Sequence, residues 1–325
     1  MSLQPVAERL SELLKLPVAL AADCIGPAVE EEVSRLTKGQ ALLLENLRFH
    51  PEEEKNDPDF AAALAALAEA YVNDAFGSSH RAHASVVGIV THFSEKGLGF
   101  LMHKEVEALS RLREHPEKPF VLILGGAKVS DKIGVIRSLL PRIDTMMIGG
   151  AMAYTLLKAQ GVSVGKSRIE EDQLDEAKKI LEEAPRRGVA LLLPEDHTVV
   201  DDLAQPKSSV ATPGREIPEG KLGVDLGPRT VELYGSALRD ARTIFWNGPM
   251  GIFETPPFDR GTEDVAKALP GRPCYKVAGG GDTVAALAQA NLLDRFDHVS
   301  TGGGASLEFL ENGDLPGLAA LRDGE

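Results

Sequence analysis

Five short apolar runs in this chain each end in a glycine-rich turn: FVLIL-GGAK, TMMI-GGAM, TIFW-NGP, CYKVA-GGGDT and HVS-TGGGAS, all between Phe120 and Ser306. Segments of helical period, such as SDKIGVIRSLL and AMAYTLLKAQ, lie between or after them. Apolar runs of this kind, buried on both faces and separated by helices, predict a mostly parallel sheet in an α/β layer fold. Parallel strands of one sheet all finish on the same edge, and that edge is where open α/β folds hold their ligands. One such turn is most often only a tight turn. Five on one edge predict a nucleotide or phosphate site.

A chain of 325 residues is too long for one small core, which favours two domains of ordinary size. In the first hundred residues ALLLEN reads as a strand, FAAALAALAEA as a helix, AYVNDAF as a strand and SSHRAHAS as a polar loop. FLMHKEVEALSRLREHPEKPF then supplies a connecting helix that ends near Pro116 and Pro119. No internal repeat or low-complexity tract interrupts this order. The net charge of −14 argues against a general nucleic-acid or anionic-membrane binder, which would carry a basic face. Local lysines can still serve a phosphate. Cys24 and Cys274 stand far apart with no metal-ligand spacing, so neither a disulfide framework nor a zinc site is expected. No apolar run is long enough to span a bilayer, and MSLQPVAERLSELL lacks the order of a signal peptide, so a cytoplasmic protein is expected.

LGGAKVSDKIG carries Lys128 and Lys132 four residues apart, beside a helix start expected near Ser130. Cations at a helix N-terminus are unfavourable unless an anion joins them, so the pair points to phosphate contact, against two solvated surface lysines. GGGDT offers Asp282 or Thr283 as an N-cap, and Asp282 equally as a ligand for Mg²⁺ carried on nucleotide phosphates. GGGAS feeds another helix, whose first N–H groups suit a phosphoryl group in transfer. Asn247 and Glu254 flank a Gly-Pro turn, next to Trp246, which alone reads as core. Arg48 and Arg81 suit phosphate or carboxylate, or else pair with the acidic stretch PEEEKND. His80 and His83 read as hydrogen-bonding loop residues without a metal partner.

In this order, ENLRFH, DAFGSSHRAHAS, LGGAKVSDKIG, IGGAMAYTLLK, FWNGPMGIFE, GGGDT and HVSTGGGASLEFL closely resemble phosphoglycerate kinase. The likeness runs from about Ser2 to the C-terminal LPGL. It implies two Rossmann-like three-layer α/β domains around a cleft, with residues 1–102 on the phosphoglycerate side and 103–325 binding nucleotide. Residues 103–118 would form the interdomain helix, and 312–325 would return towards the first domain. The implied reaction is reversible phosphoryl transfer between 1,3-bisphosphoglycerate and ADP, a phosphotransferase with a carboxyl acceptor, using Mg²⁺ bound with the nucleotide. A glycolytic, cytoplasmic monomer with no nucleic-acid or membrane partner is expected.

By position, the resemblance assigns Lys128, Lys132, Gly303 and Gly304 to the transferring phosphoryl group, and Arg48 and Arg81 to the glycerate. It assigns Gly126, Lys132, Gly149, Gly150, Gly223, Asn247, Glu254, Gly280, Gly281, Asp282 and Thr283 to the nucleotide, with Asp282 as metal ligand. The family's opening R-V-D-x-N-V-P and H-L-G-R-P motifs are not in this sequence, so the first domain is expected to lack its first strands and to expose apolar edges. A nucleotide-binding, transfer-deficient fragment is the alternative. A dehydrogenase is a distant third, because no G-x-G-x-x-G follows a strand.

Overall fold

The structure, a computed structural model, describes residues 1–271 and 273–322. The chain forms two compact units, one of Met1–His103 with the chain from Asp314, the other of Lys104–Gly313.

In the first unit α1 (Gln4–Leu14), β1 (Val18–Leu20), α2 (Pro27–Ser34) and β2 (Ala41–Leu43) are followed by α3 (Pro51–Glu54), α4 (Pro58–Ala65), β3 (Tyr71–Asn73) and β4 (Lys96–Leu98). Strands β1 and β2 pair in parallel, as do β3 and β4, making two separate two-stranded sheets. ALLLEN and AYVNDAF do supply strands, each of three residues. Asp57 starts α4 by accepting the backbone N–H of Asp59 and Phe60, both at 3.0 Å. Phe60 and Leu64 on that helix pack with Cys24, Val90 and Phe93 in the core. Val72 on β3 remains 63% exposed and Leu98 on β4 41%, so this core leaves apolar strand faces to solvent. Both cysteines are free and buried.

The connecting helix α5 (Phe100–Glu114) leads into the second unit. There β5 (Phe120–Leu124), α6 (Ile133–Leu139), β6 (Thr145–Ile148), α7 (Met152–Ala159), α8 (Leu174–Arg186) and β7 (Ala190–Leu192) follow in turn. Next come β8 (His197–Val200), β9 (Val210–Ala211), β10 (Leu222–Leu226) and α9 (Pro228–Leu238). The unit finishes with β11 (Thr243–Asn247), α10 (Arg260–Lys267), β12 (Tyr275–Gly279), α11 (Gly281–Gln289), β13 (His298–Val299) and α12 (Gly304–Asn312). A last helix, α13 (Pro316–Arg322), belongs to the first unit.

Six strands form one sheet in the order β13-β12-β11-β5-β6-β7, every pairing parallel. All residues of β5 and β11 are buried, as helix-covered parallel strands require. Val121, Ile123, Ile244, Trp246, Met147 and Tyr234 form the centre of the core. The chain leaves β5 towards β6 on one side and returns through β11 on the other, so the order reverses between β5 and β11. That gap is where an open α/β sheet makes its binding crevice. Sequence reading did not anticipate the antiparallel sheet of β10, β8 and β9. Its strands lack the all-apolar runs that mark the parallel sheet.

Candidate functional site

The five glycine turns do lie along one edge, after β5, β6, β11, β12 and β13. Asn247 is in register with Leu124 on one side and Gly279 on the other, so the three central strands end level. Beyond them backbone meets backbone. Gly125 N–H donates to Asn247 O at 2.9 Å, Gly126 N–H to Pro249 O at 2.9 Å, and Gly150 N–H to Met250 O at 2.8 Å. A Cβ on Gly150, where φ is +62°, would stand 2.5 Å from Gly126 N. Many of these glycines are therefore fixed by close approach of turns, a role distinct from ligand contact.

The lysine turn has its own anion. Glu170 accepts the N–H groups of Val129 and Ser130, and its other oxygen accepts Ser130 Oγ–H at 2.6 Å. The helix expected near Ser130 begins instead as a single 3-10 turn, Ser130–Lys132, with α6 starting at Ile133. Glu170 occupies the N–H groups that sequence reading left open for phosphate. The lysine side chains remain. Lys128 is exposed, while Lys132 is partly buried and donates from Nζ to Asn247 Oδ1. Burial holds the Lys132 ammonium below the usual lysine range, an effect that Asp131 and Asp282 partly offset. Asn247 Nδ2 donates to Gly279 O at 2.8 Å, so the amide is oriented by the neighbouring strand.

Two helix starts remain open to a ligand. At α11 the N-cap is Gly280, with φ +93° and no side-chain cap, which corrects the expectation of Asp282 or Thr283. Thr283 Oγ instead accepts Gly248 N–H at 2.6 Å, tying the helix to the turn after β11. Asp282 is thereby left exposed. At α12 the N-cap is Gly303, again without a side-chain cap. Free N–H groups at such ends attract anions.

These parts surround a cavity of about 810 Å³. Gly126, Lys128, Lys132, Asn247, Gly280, Gly281, Asp282, Thr283, Gly303 and Gly304 all line it. A second cavity of about 380 Å³ is lined by Gly126, Gly150, Gly223, Glu254 and Asp282, with Tyr154, Leu222, Ile252 and Phe253 supplying an apolar wall. Gly223 is needed there, because a Cβ would lie 2.4 Å from the Tyr154 hydroxyl. Gly149 lines neither cavity and packs against Met250, whose sulfur would be 2.4 Å from a Cβ. The first cavity carries Lys128, Lys132 and Arg168 together with the acidic Asp131, Asp282, Glu308 and Glu311, and the second is mainly apolar. Together they fit a nucleotide's phosphates and base.

Arg48 and Arg81 are in the first unit. Arg48 sits in a 3-10 turn, Leu47–Phe49, and pairs at 3.4 Å with Glu54, the bland alternative offered by PEEEKND. Arg81 is exposed and donates from Nε to His80 Nε2 at 3.3 Å. His83 faces Glu53, with Nδ1 3.8 Å from Oε1. Sequence reading missed Arg168, which lines both cavities of the second unit. The polar run GKSR before the EED of α8's approach was its only signal. Glu170 was missed as well.

The family model for phosphoglycerate kinase matches residues 1–313. A curated phosphoglycerate kinase of Anaeromyxobacter sp. is 54% identical over 320 residues, covering 98% of this chain and 81% of that protein. Its counterpart in Chlorobaculum tepidum is 53% identical over 326 residues, covering 99% and 82%. Among solved structures, phosphoglycerate kinase from Coxiella burnetii superposes with a TM-score of 0.86 at 40% identity, covering 99% of this chain and 81% of that one. The enzyme from Pyrococcus horikoshii gives 0.86 at 33% identity, with 99% and 82% covered.

Proposed function

The chain belongs to the phosphoglycerate kinase family, and we propose that its second unit binds ADP or ATP for reversible phosphoryl transfer with 1,3-bisphosphoglycerate and 3-phosphoglycerate. The observation that carries this site assignment is the convergence of Lys128, Lys132, Asp282 and two open helix starts on one cavity. In this reading the base and ribose lie against Gly223, Leu222 and Tyr154, and the phosphates extend past Gly126 towards Lys132. Gly303 and Gly304 at the start of α12 meet the phosphoryl group in transfer. Phosphoryl transfer asks for positioning and charge stabilisation without a covalent enzyme intermediate, so cations and backbone N–H groups suffice.

The divalent ion expected with the nucleotide fits the donor set. Asp282 offers an exposed carboxylate at the junction of the cavities, and Mg²⁺ is usually held by one or two carboxylates plus phosphate oxygens. Bound there, the ion would neutralise charge between phosphates. Lys132 works at the other end of the chain of phosphates, its ammonium aimed by Asn247. On the first unit, Arg48 and Arg81 would take the glycerate's carboxylate or phosphate. The Arg48–Glu54 pair is exposed on both sides and worth little, so a ligand displaces it easily. The chain is proposed to act as a cytoplasmic monomer. Among the described residues no helix is long and apolar enough to cross a membrane.

A coupled assay with ATP, Mg²⁺ and 3-phosphoglycerate tests the reading. Turnover is expected, and Lys132→Met should lower kcat about 10²- to 10³-fold, the scale for losing one transition-state donor. ADP affinity should change much less. A variant that keeps kcat within a few-fold would remove Lys132 from the transfer step. ADP binding without any turnover would leave a nucleotide-binding protein alone.

A further inference from the structure

Five residues line both cavities of the second unit: Gly126, Ala127, Arg168, Pro249 and Asp282. Only two of them carry charge. Asp282 is accounted for by the metal, whereas Arg168 has no assigned role. It is exposed and makes no hydrogen bond or ion pair among the described residues. Its backbone, by contrast, is held on both sides. Lys166 N–H donates to Lys221 O at 2.8 Å, and Ser167 Oγ accepts Gly223 N–H at 2.9 Å, which fixes the segment to the adenosine-side wall. Two residues after Arg168, the Glu170 carboxylate holds the lysine turn, and Glu170 N–H donates to Thr155 Oγ at 3.1 Å.

We propose that Arg168 is a third cation for the nucleotide's phosphate chain, carried over the junction of the two cavities by a strap of residues 166–170. The strap joins the wall that receives the base to the turn that carries Lys128 and Lys132, with the arginine between them. A guanidinium suits this place because its planar fork gives two parallel hydrogen bonds to phosphate oxygens. Lying where base pocket meets phosphate pocket, it meets the phosphates nearest the ribose. Lys132 lies at the far end, beside Asn247. The inference rests on the nucleotide reading above.

Isothermal titration with adenosine, ADP and ATP on the full chain, as wild type, Arg168→Ala and Arg168→Lys, separates the two. Arg168→Ala should weaken ADP and ATP about tenfold, equivalent to about 1.4 kcal/mol, and leave adenosine within about twofold. Arg168→Lys should recover part of the loss. If Arg168→Ala binds ADP as wild type does, or loses adenosine as strongly as ADP, the phosphate role is overturned while the nucleotide site stands. Wild-type protein that binds none of the three overturns both. Because the side chain is exposed and unbonded, equal unfolding midpoints are expected for all three proteins.

Discussion

At residue scale, Asp225 on β10 is a buried carboxyl set behind the wall of the smaller cavity. It is 2% exposed. Oδ2 accepts Gly261 N–H at 2.6 Å, but Oδ1 is buried with no hydrogen-bond partner among the described residues. Burial pushes its carboxyl up to about 8, helped by the charges of Asp259 and Asp264, while the backbone bonds from Gly261 and Leu226 oppose the rise. The folded protein thus holds this proton over a range where the unfolded chain, near 3.8, has lost it. The state that binds more protons is the native one, so this residue's contribution to stability falls as pH rises from about 4 to about 8 and is flat beyond. Asp225→Asn keeps the shape of the neutral acid and removes the titration. Urea unfolding at pH 5 and pH 8 should show the variant gaining on wild type at the higher pH. An identical pH dependence in the two proteins would mean that Asp225 is ionised in the fold.

At the scale of the element, the lysine turn explains what sequence could and could not reveal. The five strands that end in glycine were legible, because a mostly apolar run followed by glycine constrains both burial and backbone approach. Their common edge followed from parallel pairing alone. The helix expected near Ser130 does start there, as the 3-10 turn that leads into α6, but its partner Glu170 lies 40 positions away in the chain, and no local pattern announces it. Thr283 was misread as a cap for the same reason: its acceptor role faces Gly248 on another element. Arg168 was illegible because an exposed arginine in a polar run looks like any solvated charge. Strands β1 and β4 were not anticipated, although β2 and β3, which were, are no longer. Glu170 also gives a prediction at this scale. Glu170→Ala leaves the two N–H groups and Ser130 without their acceptor, and should cost about 1–3 kcal/mol in unfolding free energy. It should also lower kcat, by loosening the turn that carries Lys128 and Lys132, while adenosine affinity stays near wild type. A stability loss with unchanged kcat would reduce Glu170 to a structural cap.

Across the whole molecule, every residue lining the two cavities belongs to Lys104–Gly313. A ligand that binds only the folded form of this unit stabilises it by RT ln(1 + [L]/Kd), about 2.7 kcal/mol at a hundredfold excess over Kd. The site's contacts come from the ends of β5, β6, β11 and β12 and the starts of α11 and α12, elements far apart in sequence. Where opening of these elements is cooperative it disrupts the cavity, so nucleotide binding is expected to slow exchange of amides throughout this sheet, well beyond the residues it touches. The first unit has its own core, built on Phe60, Leu64 and Val90, and contributes no lining residue. Hydrogen exchange with Mg-ADP alone should therefore protect the six-stranded sheet by an amount that tracks ligand concentration, with β1–β4 little changed. Protection of similar size in β1–β4 would place nucleotide contacts, or coupling to them, in the first unit. Protection confined to the glycine turns would show that the sheet opens locally and that ligand binding does not draw on its cooperative stability.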